Sequence, residues 1–189
     1  MSTPALYVVP GPNGSGKSTF VHRVLGPATG LPVINADAIA AALWPGDEEA
    51  HAYDAARAAM EARNEALGAR RSFITETVFS HPSKVDLVKQ AARAGYHVEL
   101  HVMLIPEEVT VARVAYRVNA GGHSVPPDKI RERYRRLWGL VVDARAIVHR
   151  ATFYDNSRSK PFQQVAAYER DRLIGTRTWP TWTPDALTI

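Results

Sequence analysis

Residues 11–19 read GPNGSGKST. The stretch fits G-x-x-x-x-G-K-S/T, with Gly11, Gly16, Lys17 and Ser18 in the fixed places. Its chemistry is the holding of a polyphosphate. Glycines let the backbone curl until several N–H groups point inward, and a helix opening at the end of the loop adds its positive end. Lys17 is then expected to reach the β- and γ-phosphates, and the Ser18 hydroxyl is the candidate ligand for Mg²⁺. Gly11, Pro12, Asn13, Gly14, Ser15, Gly16, Lys17, Ser18 and Thr19 are the candidate nucleotide-binding residues. The nucleotide is expected to be ATP. No guanine-reading N-K-x-D motif is present, and MLIPEE is a poor match to the apolar strand ending in Asp or Asp-Glu of a motor-type ATPase.

Transfer of a γ-phosphoryl group to a hydroxyl calls for a carboxylate that takes or orients the proton. Asp37, in INADAIA, is the candidate. The same residue suits the N-cap of a helix over 38–43, and spacing leaves both roles open. Asn35 stands at the end of the same strand. Glu76, in ITETVF, is a charged residue in a run that should be buried. An unpaired carboxylate there is costly, so it is expected to face a cleft, a cation or a donor. Thr77 offers a hydroxyl to the same place.

Two arginines extend the list. Arg113 and Arg117 are four apart and share a helix face, opposite an apolar stripe of Val111, Val114, Ala115 and Val118. Arg117 borders that stripe more closely and is the better candidate for a phosphate contact. The next helix has its stripe at Ile130, Tyr134, Leu137, Val141 and Val148. Arg133 lies at its edge and is the second candidate, while Arg131 and Arg135 point outward. The competing reading of RERYRR is a solvated helix face. GGHSVPPD (121–128) is expected to be a mobile loop able to close over ATP, with His123 as a candidate substrate contact.

Strand-like and helix-like segments alternate to position these residues. Strands are expected at 5–11, 32–37, 72–79, 97–105 and 151–157, each followed by a helical or turn segment. The first helix is expected to stop at Gly26-Pro27, others to cover 47–69 and 83–94, and a long one to run from Asp128 to Arg150. The pattern implies an α/β fold with a five-stranded, mainly parallel sheet and helices on both faces. Residues 1–189 are expected to form one domain, with a core over about 5–157 and a small hairpin and tail over 158–189. Ligands then lie beyond the carboxyl ends of the strands, where the loop, Asn35 to Asp37, Glu76 and Thr77, and Asp155-Asn156 fall.

Composition narrows the class. The chain has 189 residues, is 46% hydrophobic, contains no cysteine and carries a net charge of +4, most of the positive charge from arginine. A disulfide framework and a thiolate metal site are excluded. No basic leader or apolar run of membrane-span length is visible, so a cytoplasmic location and no membrane partner are expected. Nucleic acid as a partner would call for exposed aromatics beside the basic residues, whereas Tyr134 and Trp138 fall on or near an apolar stripe.

GPNGSGKST, then NADAIA, TETVFS, RVNAGGHSVPPDKIRERYRR and YDNS, in this order and spacing over roughly residues 5–157, resembles the zeta-toxin family of P-loop kinases. The resemblance implies a P-loop kinase fold using ATP and Mg²⁺, with UDP-N-acetylglucosamine as acceptor at its 3′-hydroxyl. It assigns Lys17 and Ser18 to ATP and Mg²⁺, Asp37 to the catalytic base, and Glu76 and Thr77 to the sugar-nucleotide side. It assigns arginines between Arg117 and Arg133 to the transferred group, and it implies an antitoxin as a possible protein partner. The expected function is an ATP-dependent kinase of a small-molecule hydroxyl. A kinase of a nucleoside, an antibiotic or a polynucleotide end, and a nucleotide-binding interaction module with little turnover, are the alternatives.

Overall fold

The structure is a computed structural model describing residues 3–119 and 125–188. Its centre is β1 (Ala5–Pro10), a short apolar strand. β1 pairs in parallel with β3 (Phe73–Thr77) on one side and β4 (His97–Leu104) on the other. β2 (Val33–Ile34) adds in parallel to β3, and β5 (Arg150–Asp155) in parallel to β4. The sheet continues antiparallel through β6 (Gln163–Glu169) and β7 (Arg172–Leu173), giving the order β2-β3-β1-β4-β5-β6-β7.

The sheet therefore has seven strands where the sequence suggests five and a separate hairpin. The hairpin is present but joins the sheet. Val165, Ala166, Ala167 and Tyr168 are all buried, so β6 is apolar on both faces and covers the open edge of β5.

Side chains alternating along β1 feed two cores. Leu6 and Val8 join the larger one with α5 (Ser83–Arg93) and α7 (Pro127–Arg145), through Val88, Ala91, Leu137 and Val141. Val9 joins the smaller one, with Phe20, Val21 and Leu25. Tyr134 and Trp138 are buried, as their stripe predicts.

Helix boundaries differ at three places, one being the helix expected over 47–69, which begins at Ala52 and not near residue 47. The first helix does not stop at Gly26-Pro27. α1 (Lys17–Phe20) widens into a π-helical stretch (Val21–Leu25) and ends as α2 (Gly26–Thr29), with Gly30 left-handed beyond it. The wider turn admits a proline that has no N–H to give to the preceding turn. The long helix α7 ends at Arg145, so Arg150 opens β5 instead of closing a helix. α3 (Ala36–Leu43), α4 (Ala52–Gly68) and α6 (Glu107–Asn119) complete the fold. Among the described residues no helix is long and apolar enough to cross a membrane.

Candidate active site

The reversal of strand order around β1 opens a crevice at the carboxyl ends of the strands, where open α/β sheets hold ligands. The loop after β1 lies in it. Gly14 and Gly16 have φ of +71° and +87°, left-handed values that suit glycine. Gly16 also has no room for a side chain, since a Cβ there would run into the Asn156 amide.

Two residues brace the loop from outside. Asn156, just past β5, donates from Nδ2 to the Ser15 carbonyl at 2.8 Å. Arg113 on α6 donates to the carbonyls of Gly14 at 3.2 Å and Asn156 at 3.0 Å. Its guanidinium is thereby tied to backbone, while Arg117, one turn on, lies exposed on the cleft lining. Asn156 was legible only as a turn former, because the sequence does not say which carbonyl its amide meets.

Lys17 Nζ donates to the Pro12 carbonyl at 2.9 Å, folded back over its own loop. Burial pulls its ammonium down to about 8; Glu76 and Asp37 oppose the fall and Arg117 adds to it. Ser18 Oγ donates to Glu76 Oε1 at 2.9 Å, and Asn35 Nδ2 donates to the same oxygen. The other carboxylate oxygen of Glu76 is buried without a hydrogen-bond partner among the described residues. Burial pushes the Glu76 carboxyl up, Lys17 and the Ser18 hydroxyl hold it back, Asp37 adds to the rise, and Asn35 opposes it. Glu76 thus meets the cleft, the cation and the donors that its placement in a buried strand demands. A hydroxyl beside a buried, half-satisfied carboxylate also fits a hard divalent cation, which binds through oxygen.

Asp37 and Asn35 divide the work left open by spacing. Asn35 is the N-cap of α3, its side-chain oxygen accepting from the Asp37 N–H at 2.8 Å. Asp37 sits inside the first turn, exposed, with its carboxylate on the cleft. Thr77 lines the cleft too, its hydroxyl accepting from the Phe79 N–H at 3.2 Å.

Arg133 reaches the cleft from α7, half-buried. Arg131 and Arg135 are tied to Glu107, and Arg136 to Glu132. Arg133 has no carboxylate partner among the described residues. His123 and the glycines at 121–122 lie outside the described residues.

The cleft joining these groups has a volume of about 1510 Å³. Sites for one drug-sized ligand run roughly 300–1,000 Å³, so two ligands can be held side by side. Its far wall is built by α4 and α5, with Tyr53, Met60, Arg63 and Lys84. Sequence reasoning missed this wall. The available signal was Arg63 itself, a cation falling on the stripe of Ala55, Ala59 and Ala66 that α4 buries.

Residues 6–140 match the AAA domain family, well over half of the chain. The chain belongs to that family. A relative from Haemophilus influenzae, named only as an uncharacterised protein, is 33% identical over 125 residues, an alignment covering 66% of this chain and 88% of that protein. Among solved structures, the complex of AvrRxo1-ORF1 with AvrRxo1-ORF2 matches this AAA domain protein with a TM-score of 0.71 at 15% identity. That match covers 91% of this chain and 60% of the other, so the chain spans less than two thirds of it. The PezAT chromosomal toxin–antitoxin system of Streptococcus pneumoniae gives 0.62 at 16% identity, covering 82% and 68%. A gluconokinase from Sinorhizobium meliloti gives 0.54 at 22%, covering 85% and 86%. At these identities the likeness concerns the fold, which is that of a P-loop kinase.

Proposed function

We propose that this protein transfers the γ-phosphoryl group of ATP to a hydroxyl of a small-molecule acceptor. The observation that supports it best is the meeting of Lys17, Ser18, Asp37, Glu76, Arg117 and Arg133 on one cleft with room for two ligands. A module that only bound nucleotide would have no use for a carboxylate at Asp37 beside the lysine.

In this reading the loop from Gly11 to Thr19 cradles the phosphates, and Lys17 leaves the Pro12 carbonyl to meet them. Asp37 receives the proton of the acceptor hydroxyl. The acceptor oxygen bonds to the γ-phosphorus as the bond to the bridging oxygen breaks, and ADP departs with that electron pair. Lys17, Arg117 and Arg133 offset the negative charge spread over the transferred group. Mg²⁺, held through Ser18 with Glu76 behind it, would supply further neutralisation of the phosphate oxygens. The roles of Asn35, Thr77 and His123 are on the acceptor side, Asn35 acting through its hold on α3 and Glu76.

The acceptor we propose to test first is UDP-N-acetylglucosamine, from the resemblance to zeta toxins. The toxin–antitoxin complex among the structural neighbours makes an antitoxin the protein partner to seek. We place the reaction in the cytoplasm, where ATP is available. The experiment is mass spectrometry of reactions containing the protein, ATP, Mg²⁺ and a panel of acceptors. The panel holds UDP-N-acetylglucosamine, nucleosides, hydroxylated antibiotics and an oligonucleotide, with Lys17→Ala as the control. UDP-N-acetylglucosamine gaining one phosphoryl group, absent from the control, is the expected result. Gain on another acceptor moves the substrate and keeps the chemistry. No gain on any acceptor, with ATP bound but unconsumed, means a binding module.

A further inference from the structure

The far wall of the cleft holds charges that the transfer step does not use. Tyr53, Arg57, Met60 and Arg63 lie three or four residues apart on α4, so one face of that helix looks into the cleft. Arg63 is only 6% exposed. One of its N–H groups reaches Thr75 Oγ1 at 3.3 Å, and that hydroxyl gives its own hydrogen to the Ile34 carbonyl at 2.8 Å. A guanidinium has five N–H donors, so most remain for something else. No carboxylate pairs with Arg63 among the described residues.

Lys84, in the first turn of α5, is half-buried on the same wall. Its backbone N–H donates to the His81 carbonyl at 3.0 Å, but its ammonium has neither hydrogen bond nor ion pair among the described residues. Burial lowers its pKa, and the charge of Arg63 lowers it further, so the two cations are close enough to repel. Nearby charges do not answer them. Asp54 pairs with Arg57 at 3.4 Å and with His51 at 3.2 Å, and Asp86, exposed on the same wall, forms no ion pair among the described residues.

Buried charges are ordinarily paired, because desolvation of a lone cation is costly. Two of them gathered without a counter-ion make a place for an anion. The planar fork of arginine beside the point charge of lysine suits a phosphate dianion better than a single carboxylate charge. Tyr53 and Met60, 85% and 48% exposed, flank the pair with apolar surface that a ring could cover.

We propose that Arg63 and Lys84 form an anion subsite in the acceptor half of the cleft, which selects acceptors carrying a phosphate group over their neutral counterparts. The acceptor's identity as an acceptor rests on the kinase reading; the anion subsite does not. Arg63 and Lys84 position this group, and neither takes part in the transfer.

The test is calorimetric titration of the full chain, with Mg²⁺ and a saturating non-hydrolysable ATP analogue filling the phosphate loop. UDP, inorganic pyrophosphate and uridine are the probes. UDP is expected to bind at least about tenfold more tightly than uridine, as a charge-assisted contact implies. Arg63→Gln and Lys84→Gln should each remove most of that preference while leaving affinity for the ATP analogue unchanged. Arg63→Lys should restore part of it, which a purely structural role at Thr75 would not produce. Lys84→Gln keeps the test decisive if the buried Arg63 variant fails to fold. The proposal is overturned if neither UDP nor pyrophosphate binds the loop-filled protein, or if both bind the two glutamine variants as well as the wild type. Failure of the kinase reading looks different: anion binding persists while no acceptor gains a phosphoryl group.

Discussion

The two ends of the cleft are made in different ways. At the phosphate loop, the cleft is lined by Asn13, Gly14 and Gly16 to Thr19, close neighbours in sequence, and residues distant in sequence brace them. Asn156 donates to the Ser15 carbonyl, and Arg113 donates to the Gly14 carbonyl and to that of Asn156. At the far wall, side chains come from three separate elements, α4, α5 and the end of β3. Under the proposed reading, the first end recognises phosphate largely through backbone groups. The second is side-chain recognition, in which substrate choice can change without disturbing the first.

Breaking the loop end should have the largest effect. Lys17→Ala is expected to lower turnover by at least about 10³-fold, read as phosphorylated product per enzyme. Asp37→Asn, at the junction of the two ends, is expected to lower turnover by about 10²–10⁴-fold with ATP affinity retained. Near-normal turnover in that variant would remove Asp37 as the base. Asn156→Ala should weaken ATP binding by about tenfold, the worth of a lost, part-buried hydrogen bond to the loop. A brace that mattered only to the fold would instead lower the melting temperature and leave affinity alone.

A pH titration sharpens the same contrast. With burial holding Lys17 near 8 in the nucleotide-free protein, against 10.5 when unfolded, the unfolded chain binds more protons between those values. Stability contributed by this site therefore rises with pH across the window, seen as the difference between wild type and Lys17→Met. ATP restores the charge on Lys17, so binding above about pH 8 should take up a proton, measurable by calorimetry in two buffers of unlike ionisation enthalpy. The smallest effect is expected at Asn35→Ala, where loss of the α3 cap costs about 1 kcal/mol of stability. Turnover should fall further than that loss explains, because Asn35 also donates to Glu76.

Much of this was legible in the chain. The phosphate loop can be read directly because its function is carried by consecutive backbone groups with glycine where φ must be positive. β1 can be read because it is a short, mostly buried apolar run, and β4 because its buried side chains alternate along the strand. Glu76 stood out as a charge in such a run. Other features were ambiguous for physical reasons. Asp37 and Asn35 both suit a helix N-cap, and only the hydrogen bond from the Asp37 N–H to Asn35 decides between them. The arginines of α6 and α7 repeat faster than a helical face can separate them. Their ion pairs sort them: Arg131 and Arg135 are tied to Glu107, and Arg133 is left for the cleft.

The sequence by itself determined the phosphate cradle, the parallel α/β order and the short list of carboxylates, since each depends on neighbours within a turn or a strand. Tertiary structure alone decided that the C-terminal hairpin completes the sheet, that Arg113 braces the loop, and that Arg63 and Lys84 share a wall without a counter-ion among the described residues. Those outcomes depend on which surfaces meet across the chain, and periodicity in one segment holds no record of the segment it will face.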